Sequence, residues 1–123
     1  GDSARGRLAE AERRWRAGDR DAARALFTRV GRGAGSLAEA AWIRLARLEL
    51  RAGELRRARD AVRAQRGRFP RSRFGAEALW IEADASRRLG DEAAMRSAVD
   101  RLRRRHPDSA QARAAARLEE DGE

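Results

Sequence analysis

The sequence predicts an all-α chain built as a stack of helical hairpins, and three observations predict it. The dipeptide Gly-Asp or Gly-Glu recurs at Gly18-Asp19, Gly53-Glu54 and Gly90-Asp91, each after a helix-patterned run, at spacings of 35 and 37 residues. Small and large residues keep the same offsets from each of those glycines. The apolar content leans on Ala and Leu at helical spacing, with little β-branching and no strand-like alternation, a bias that favours helix. A repeat of this period marks hairpins too small to bury their own apolar faces, so each needs its neighbours to complete a core.

The elements follow in order. A first helix over 3–17 ends at Gly18, and Asp19 starts the second, over 20–30, by accepting backbone N–H groups. The segment GRGAGS, Gly31 to Ser36, is the widest punctuation and reads as the flexible joint. Ser36 with Glu39 has capping-box spacing at the start of a third helix over 37–52. A fourth, over 54–67, must stop before Pro70, which cannot donate the next hydrogen bond and disfavours helix just ahead of itself. Ser72 caps a fifth over 73–89 and Asp91 a sixth over 91–105, which Pro107 ends. Asp108 or Ser109 opens a last helix over 109–120, with Ala112, Ala115, Ala116 and Leu118 on one side and charges elsewhere. Its tail, EEDGE, is expected to fray. The chain is therefore one domain, 1–123, of three hairpins at about 3–30, 37–67 and 73–105 closed by a capping helix at 109–120.

Alignment on the glycines extends the repeat. Seven residues before each sits Ala11, Ala46 or Ala83, where a small side chain lets helices approach closely; five after come Ala23, Ala58 and Met95, the one break in that small-residue rule. Nine after come Phe27, Val62 and Val99, and seventeen after come Gly35, Pro70 and Pro107. In that order of small residue, turn, Ala, large residue and terminal Pro, residues 4 to 107 resemble the tetratricopeptide repeat. The stretches FPRSRFGAEALW and HPDSAQARAAARL resemble a bacterial subgroup in which aromatic-Pro-x-Ser precedes a helix. That subgroup is common in Gram-negative envelope proteins, among them outer-membrane assembly lipoproteins and a cell-division coordinator. The resemblance implies a right-handed α-α superhelix and a protein-binding role. Arg7 and Glu10 stand where the family carries large apolar residues, so the first hairpin is a cap or a divergent copy.

Composition narrows the function classes. With no cysteine, disulfides, thiolate catalysis and cysteine zinc sites are excluded. No apolar run reaches the length of a membrane span, and the N-terminus lacks a signal-peptide core. The opening GDSARG without an initiator Met points to a mature or excised domain. All 29 basic residues are arginine, and a net charge of +9 favours acidic partners, nucleic acid or anionic lipid.

Catalysis finds little support, and no cofactor or metal is expected. His106, the only histidine, precedes Pro107 in a turn equivalent to Phe69-Pro70 and reads as structural. Glu10, Glu49, Glu77 and Glu82 lie among arginines at helical spacing, which reads as surface pairing. Gly31, Gly33 and Gly35 lack the Lys-Ser/Thr of a phosphate loop. Nucleic acid is the alternative partner, through Arg56-Arg57-Arg59, Arg63 to Arg73 and Arg101 to Arg105, but these sit toward helix C-termini where positive charge is favoured, with little aromatic interleaving.

The expected function is a non-enzymatic module that binds an acidic or amphipathic peptide or protein. In the tetratricopeptide family the first helices of successive repeats line a concave groove. The resemblance maps that groove to Leu8, Glu12, Trp15 and Arg16, then Ile43, Arg47, Leu50 and Arg51, then Trp80, Asp84, Arg87 and Arg88. Tryptophan and arginine are the residues that anchor interfaces. Trp42, at the family's buried large position, reads as core. The subgroup implies a periplasmic or envelope-associated place; a cytosolic adaptor is the alternative.

Overall fold

Three times the backbone ends a helix with one set of bonds. The N–H of Ala17 donates to Arg13 O, that of Gly18 to Trp15 O and that of Asp19 to Arg14 O, and the same offsets recur around Gly53 and Gly90. Closing the turn this way puts the glycine in the left-handed region, at φ 89°, 77° and 80°, where a Cβ is penalised. The recurrent glycine is thus a backbone requirement. The acidic residue after it has a second task at two of the three sites, where Asp19 and Asp91 accept from Ala22 N (3.3 Å) and Ala94 N (3.1 Å) to start the next helix. Glu54 makes no such bond.

The computed structural model describes residues 3–121, of which seven segments are helical: α1 (Ala4–Arg16), α2 (Arg20–Gly31), α3 (Ser36–Arg51), α4 (Leu55–Arg68), α5 (Gly75–Arg88), α6 (Glu92–Arg105) and α7 (Ala110–Asp121). No strand occurs among the described residues. The chain is all-α. Helices joined by a three-residue turn and packed along their length must run antiparallel, which makes α1/α2, α3/α4 and α5/α6 pairs. Each pair packs on the next through α2 with α3 and α4 with α5, and α1, α3, α5 and α7 touch in succession.

Four expected details differ. Ser36 is already inside α3, because Gly35 at φ 88° takes the cap position, and the Ser36–Glu39 capping box does not form. Gly31 to Ser36 is a pinned turn: Trp42 Nε1–H donates to Gly31 O at 2.8 Å, and Arg68 donates to the carbonyls of Arg32 and Gly33. The Trp42 ring also lies on Gly31, where a Cβ would come within 2.5 Å of it. Ser72 does not cap α5, which starts at Gly75 after Phe74; its hydroxyl accepts from Phe74 N at 3.0 Å instead, whereas of the two caps expected for α7 Ser109 serves, accepting from Ala112 N at 3.0 Å. The helix runs on through Glu119 and Glu120 to Asp121, and the last two residues of the tail lie outside the described ones.

The core is built from the repeated positions. Ala11, Ala46, Ala83, Ala23, Ala58, Phe27, Val62 and Val99 are all enclosed, and Met95 is buried as well. Alanine at the crossings brings helix axes close, and the large residue nine after the glycine fills the space behind them. One apolar cluster runs from α1 to α5 and a second from α5 to α7, with Trp80 packed against both. The slot twelve after the glycine holds Val30, Gln65 and Leu102. Gln65 is the outlier, wholly buried with neither amide atom hydrogen-bonded among the described residues.

Gly90→Ala is expected to lower stability by about 1 kcal/mol or more, because a methyl group is forced onto a left-handed backbone. Gly67→Ala, in α4 where a Cβ meets nothing within 4 Å, is expected to raise it by about 0.5–1 kcal/mol. Thermal melts followed by circular dichroism check both signs. Gln65→Leu, which puts the residue of the equivalent slot in place of two unpaired buried polar groups, is expected to add about 1–3 kcal/mol; a lower urea midpoint would contradict it.

Candidate binding surface

Arginines that face the outside of α1 and α3 meet across the junction of the first two pairs. Arg16 from α1 and Arg44, Arg47 and Arg51 from α3 line a recess of about 450 Å³ with Glu12 and Leu48. The spacing of Arg44, Arg47, Leu48 and Arg51 follows one helix stripe, which is why one helix can contribute four groups to the same hollow. Two of the arginines are engaged. Arg44 lies 3.5 Å from Glu12, and Arg47 grips Glu77 of α5 with two parallel hydrogen bonds. Its bonds to Glu77 raise the Arg47 pKa above the usual arginine value against the opposing effect of burial. Arg16 and Arg51 are exposed, with no carboxylate at ion-pair distance among the described residues.

The mapped groove residues separate by their offset from the glycine. Ile43 is wholly buried and does not face a groove. It occupies the slot ten before the glycine, where Leu8 is buried too, so that position belongs to the core. Trp80, in the same slot of the third pair, is half-buried between the two apolar clusters. Trp15 and Leu50, three before the glycine, are half-buried against the core, and Trp15 carries the guanidinium groups of Arg20 and Arg24 over its ring at 5.1 and 5.5 Å. Asp84 is occupied by Arg87 at 3.2 Å and Arg88 at 3.7 Å. Arg87 lines a different hollow with Met95, Arg103 and Glu119. Arg16, Arg47 and Arg51 are brought together; the α5 residues are not joined to them in one recess. Arg44 and Leu48, missing from the mapped set, could have been found from their spacing with Arg47 and Arg51.

Surface pairing describes only Glu10 among the four singled-out glutamates. It holds Arg13 and Arg14 within α1, and those bonds, Arg14 first, lower its pKa. The other three pair between helices. Glu49, 1% exposed, receives two hydrogen bonds of 2.8 Å from Arg24 of the preceding pair, and Glu82, 6% exposed, is held by Arg63 at 2.9 Å and Arg66 at 2.6 Å. Glu77 holds Arg47 as described. The Arg24 contact also repeats. Arg59, at the same offset in the second pair, reaches Ser86 at 3.4 Å, where Glu49 stood, and Asp91 at 2.9 Å. Asp91 has its pKa lowered by the Ala94 N–H first and then by Arg59, with some burial opposing. Trp42 packs on the core as expected.

His106 keeps a structural place. Its ring sits against α5, where a Cβ on Gly75 would lie 3.1 Å from Nε2, and its non-helical backbone before Pro107 (φ −137°, ψ 54°) matches that of Phe69 before Pro70 (φ −130°, ψ 70°). Among the described residues, no group of three or more His, Cys, Asp or Glu is arranged to hold a metal ion, and no helix is long and apolar enough to cross a membrane. Comparison of the chain with family models, with curated proteins and with solved structures finds no match.

Arg24→Ala strands Glu49 as a buried charge and is expected to cost about 3–5 kcal/mol. The double variant Arg24→Leu with Glu49→Leu, which removes both charges and keeps the volume, is expected to be more stable than the single one. Urea denaturation of the two variants gives the comparison.

Proposed function

We propose that the chain is a non-enzymatic interaction module that holds an acidic, amphipathic segment of a peptide or protein partner in the recess between α1 and α3. The observation that carries this is that Arg16 and Arg51 are exposed, with no ion-pair partner among the described residues, at the rim of a hollow floored in part by Leu48. Guanidinium groups grip carboxylates in a bidentate fork, and a neighbouring apolar floor accepts the other face of an amphipathic helix. The recess has four arginines and one glutamate, so its field attracts acidic chains.

The finer reading takes the three helix pairs as tetratricopeptide-like repeats coiling in a right-handed superhelix, with α1, α3 and α5 inside and α7 as the closing helix. What supports it is the recurrence of the glycine turn, the enclosed alanines and the succession of contacts along α1, α3, α5 and α7. An envelope or periplasmic place rests on the likeness of the two aromatic-Pro-x-Ser type segments alone.

Arg47 is committed to Glu77 and its reversal would disturb the junction, so the test falls on Arg16 and Arg51. Arg16→Glu with Arg51→Glu is expected to weaken binding of a synthetic helical peptide of Glu and Leu by about tenfold or more, the equivalent of roughly 1.4 kcal/mol, with unchanged far-ultraviolet circular dichroism. Arg29→Glu, on exposed α2 surface away from the recess, serves as the charge control. Equal loss in the control, or no loss in the double variant, would overturn the recess as the site.

A further inference from the structure

The two junctions between helix pairs offer one slot twice, and the chain leaves it about twice as roomy the second time. In the first junction, the residue eleven before the glycine is Trp42, whose ring rests on Gly31 of α2 and narrows the space between α2 and α4 to a hollow of about 320 Å³. In the second junction that residue is Leu79, and the counterpart of Gly31 is Arg66. A leucine cannot reach across as an indole does. The space between α4 and α6 stays open as a cleft of about 620 Å³, within the roughly 300–1,000 Å³ of small-ligand sites.

Arginines converge on this cleft from three elements. Arg63 and Arg66 come from α4, Arg101 and Arg105 from α6 and Arg71 from the connection after α4, above a floor that includes Leu79 and Gly75 of α5. One carboxylate, Glu82, answers them from the adjoining hollow, through Arg63 and Arg66. Arg71, Arg101 and Arg105 have no ion-pair partner among the described residues. Arg105 is the counterpart of Arg68, which in the first junction donates to two carbonyls of the preceding turn; Arg105 makes no such bond among the described residues. The Nε of Arg66 is buried and unbonded. Burial first, and then the like charges of Arg101, Arg63 and Arg105, lower the Arg66 pKa from the usual arginine value against the pull of Glu82.

The arginines near the ends of α4 and α6 also complement helix dipoles, but that accounts for little of the charge. Each helix C-terminus carries about half a negative charge, so two such ends and one carboxylate leave five guanidinium groups well in excess. We infer that the cleft between α4 and α6 binds a compact, multiply charged oxyanion of the phosphate class, a di- or triphosphate group on a small molecule. Walls on two sides and a closed floor suit a compact anion. An extended nucleic-acid backbone would instead require arginines strung along an open track with successive bases stacked on aromatic faces, and the rings lining the cleft are Phe69 and His106, the latter set against Gly75.

The test is calorimetric titration of the chain with inorganic tripolyphosphate and, separately, orthophosphate. Tripolyphosphate is expected to bind more tightly than orthophosphate, and Arg101→Ser with Arg105→Ser, both at exposed positions, is expected to weaken it by about tenfold or more. Arg16→Ser with Arg51→Ser, in the other recess, is expected to leave it within about twofold, since distant sites act independently. A second variant pair, Leu79→Trp with Arg66→Gly, sets an indole on a glycine as in the first junction, narrowing the cleft and removing one of its arginines, and is expected to weaken binding by about tenfold or more while circular dichroism shows the fold retained. Equal affinity in the native chain and the Arg101/Arg105 variant overturns the inference. So does a single-stranded oligonucleotide that binds at the same arginines and is not displaced by tripolyphosphate. Loss of peptide binding through Arg16 and Arg51 with tripolyphosphate binding intact bears on the proposed function alone.

Discussion

Two glutamates enclosed between helix pairs constrain everything around them. Glu49 and Glu82 are buried, and each is tolerable only while arginines of the preceding pair reach it. Such clamps add modest net stability, because desolvation offsets most of the attraction, yet losing either partner is costly. They therefore act chiefly on geometry: a pair that slid or rotated against its neighbour would strand a charge. The alanine-lined crossings supply the closeness, and the clamps set the register.

Charge that is spent inside cannot be offered outside, and this sorts the arginines. Arg24, Arg47, Arg59, Arg63 and Arg66 reach across junctions to hold helices together. Arg16, Arg51, Arg71, Arg101 and Arg105 remain exposed around two hollows, one between α1 and α3 and one between α4 and α6. The same side chain thus serves as bolt or as bait according to whether a carboxylate faces it. Bulk net charge alone carries no such distinction.

Much of the fold was legible because its determinants are local. A glycine with positive φ, an aspartate two or three residues before a free N–H, and a proline that denies the next bond each act within a turn or two of chain. Helix ends read from those signals lie within two residues of the observed ones. The capping box at Ser36 misled because Gly35 competes for the same position, and a glycine in the left-handed region wins it. The site was less legible. Ile43 and Arg47 look alike as members of a stripe, but the first is enclosed in the core and the second is half-exposed and reaches Glu77 along the surface of the junction, so a few tens of degrees of helix rotation decide between core and surface.

By itself the sequence determined the number of helices, their turns and the identity of the enclosed alanines, since backbone sterics and helical spacing need no distant partner. The tertiary structure alone decided which arginine meets which glutamate and why the Trp42 junction is narrower than the Leu79 junction. Those outcomes depend on residues about twenty to thirty apart brought face to face, and chain neighbours carry no record of that distance.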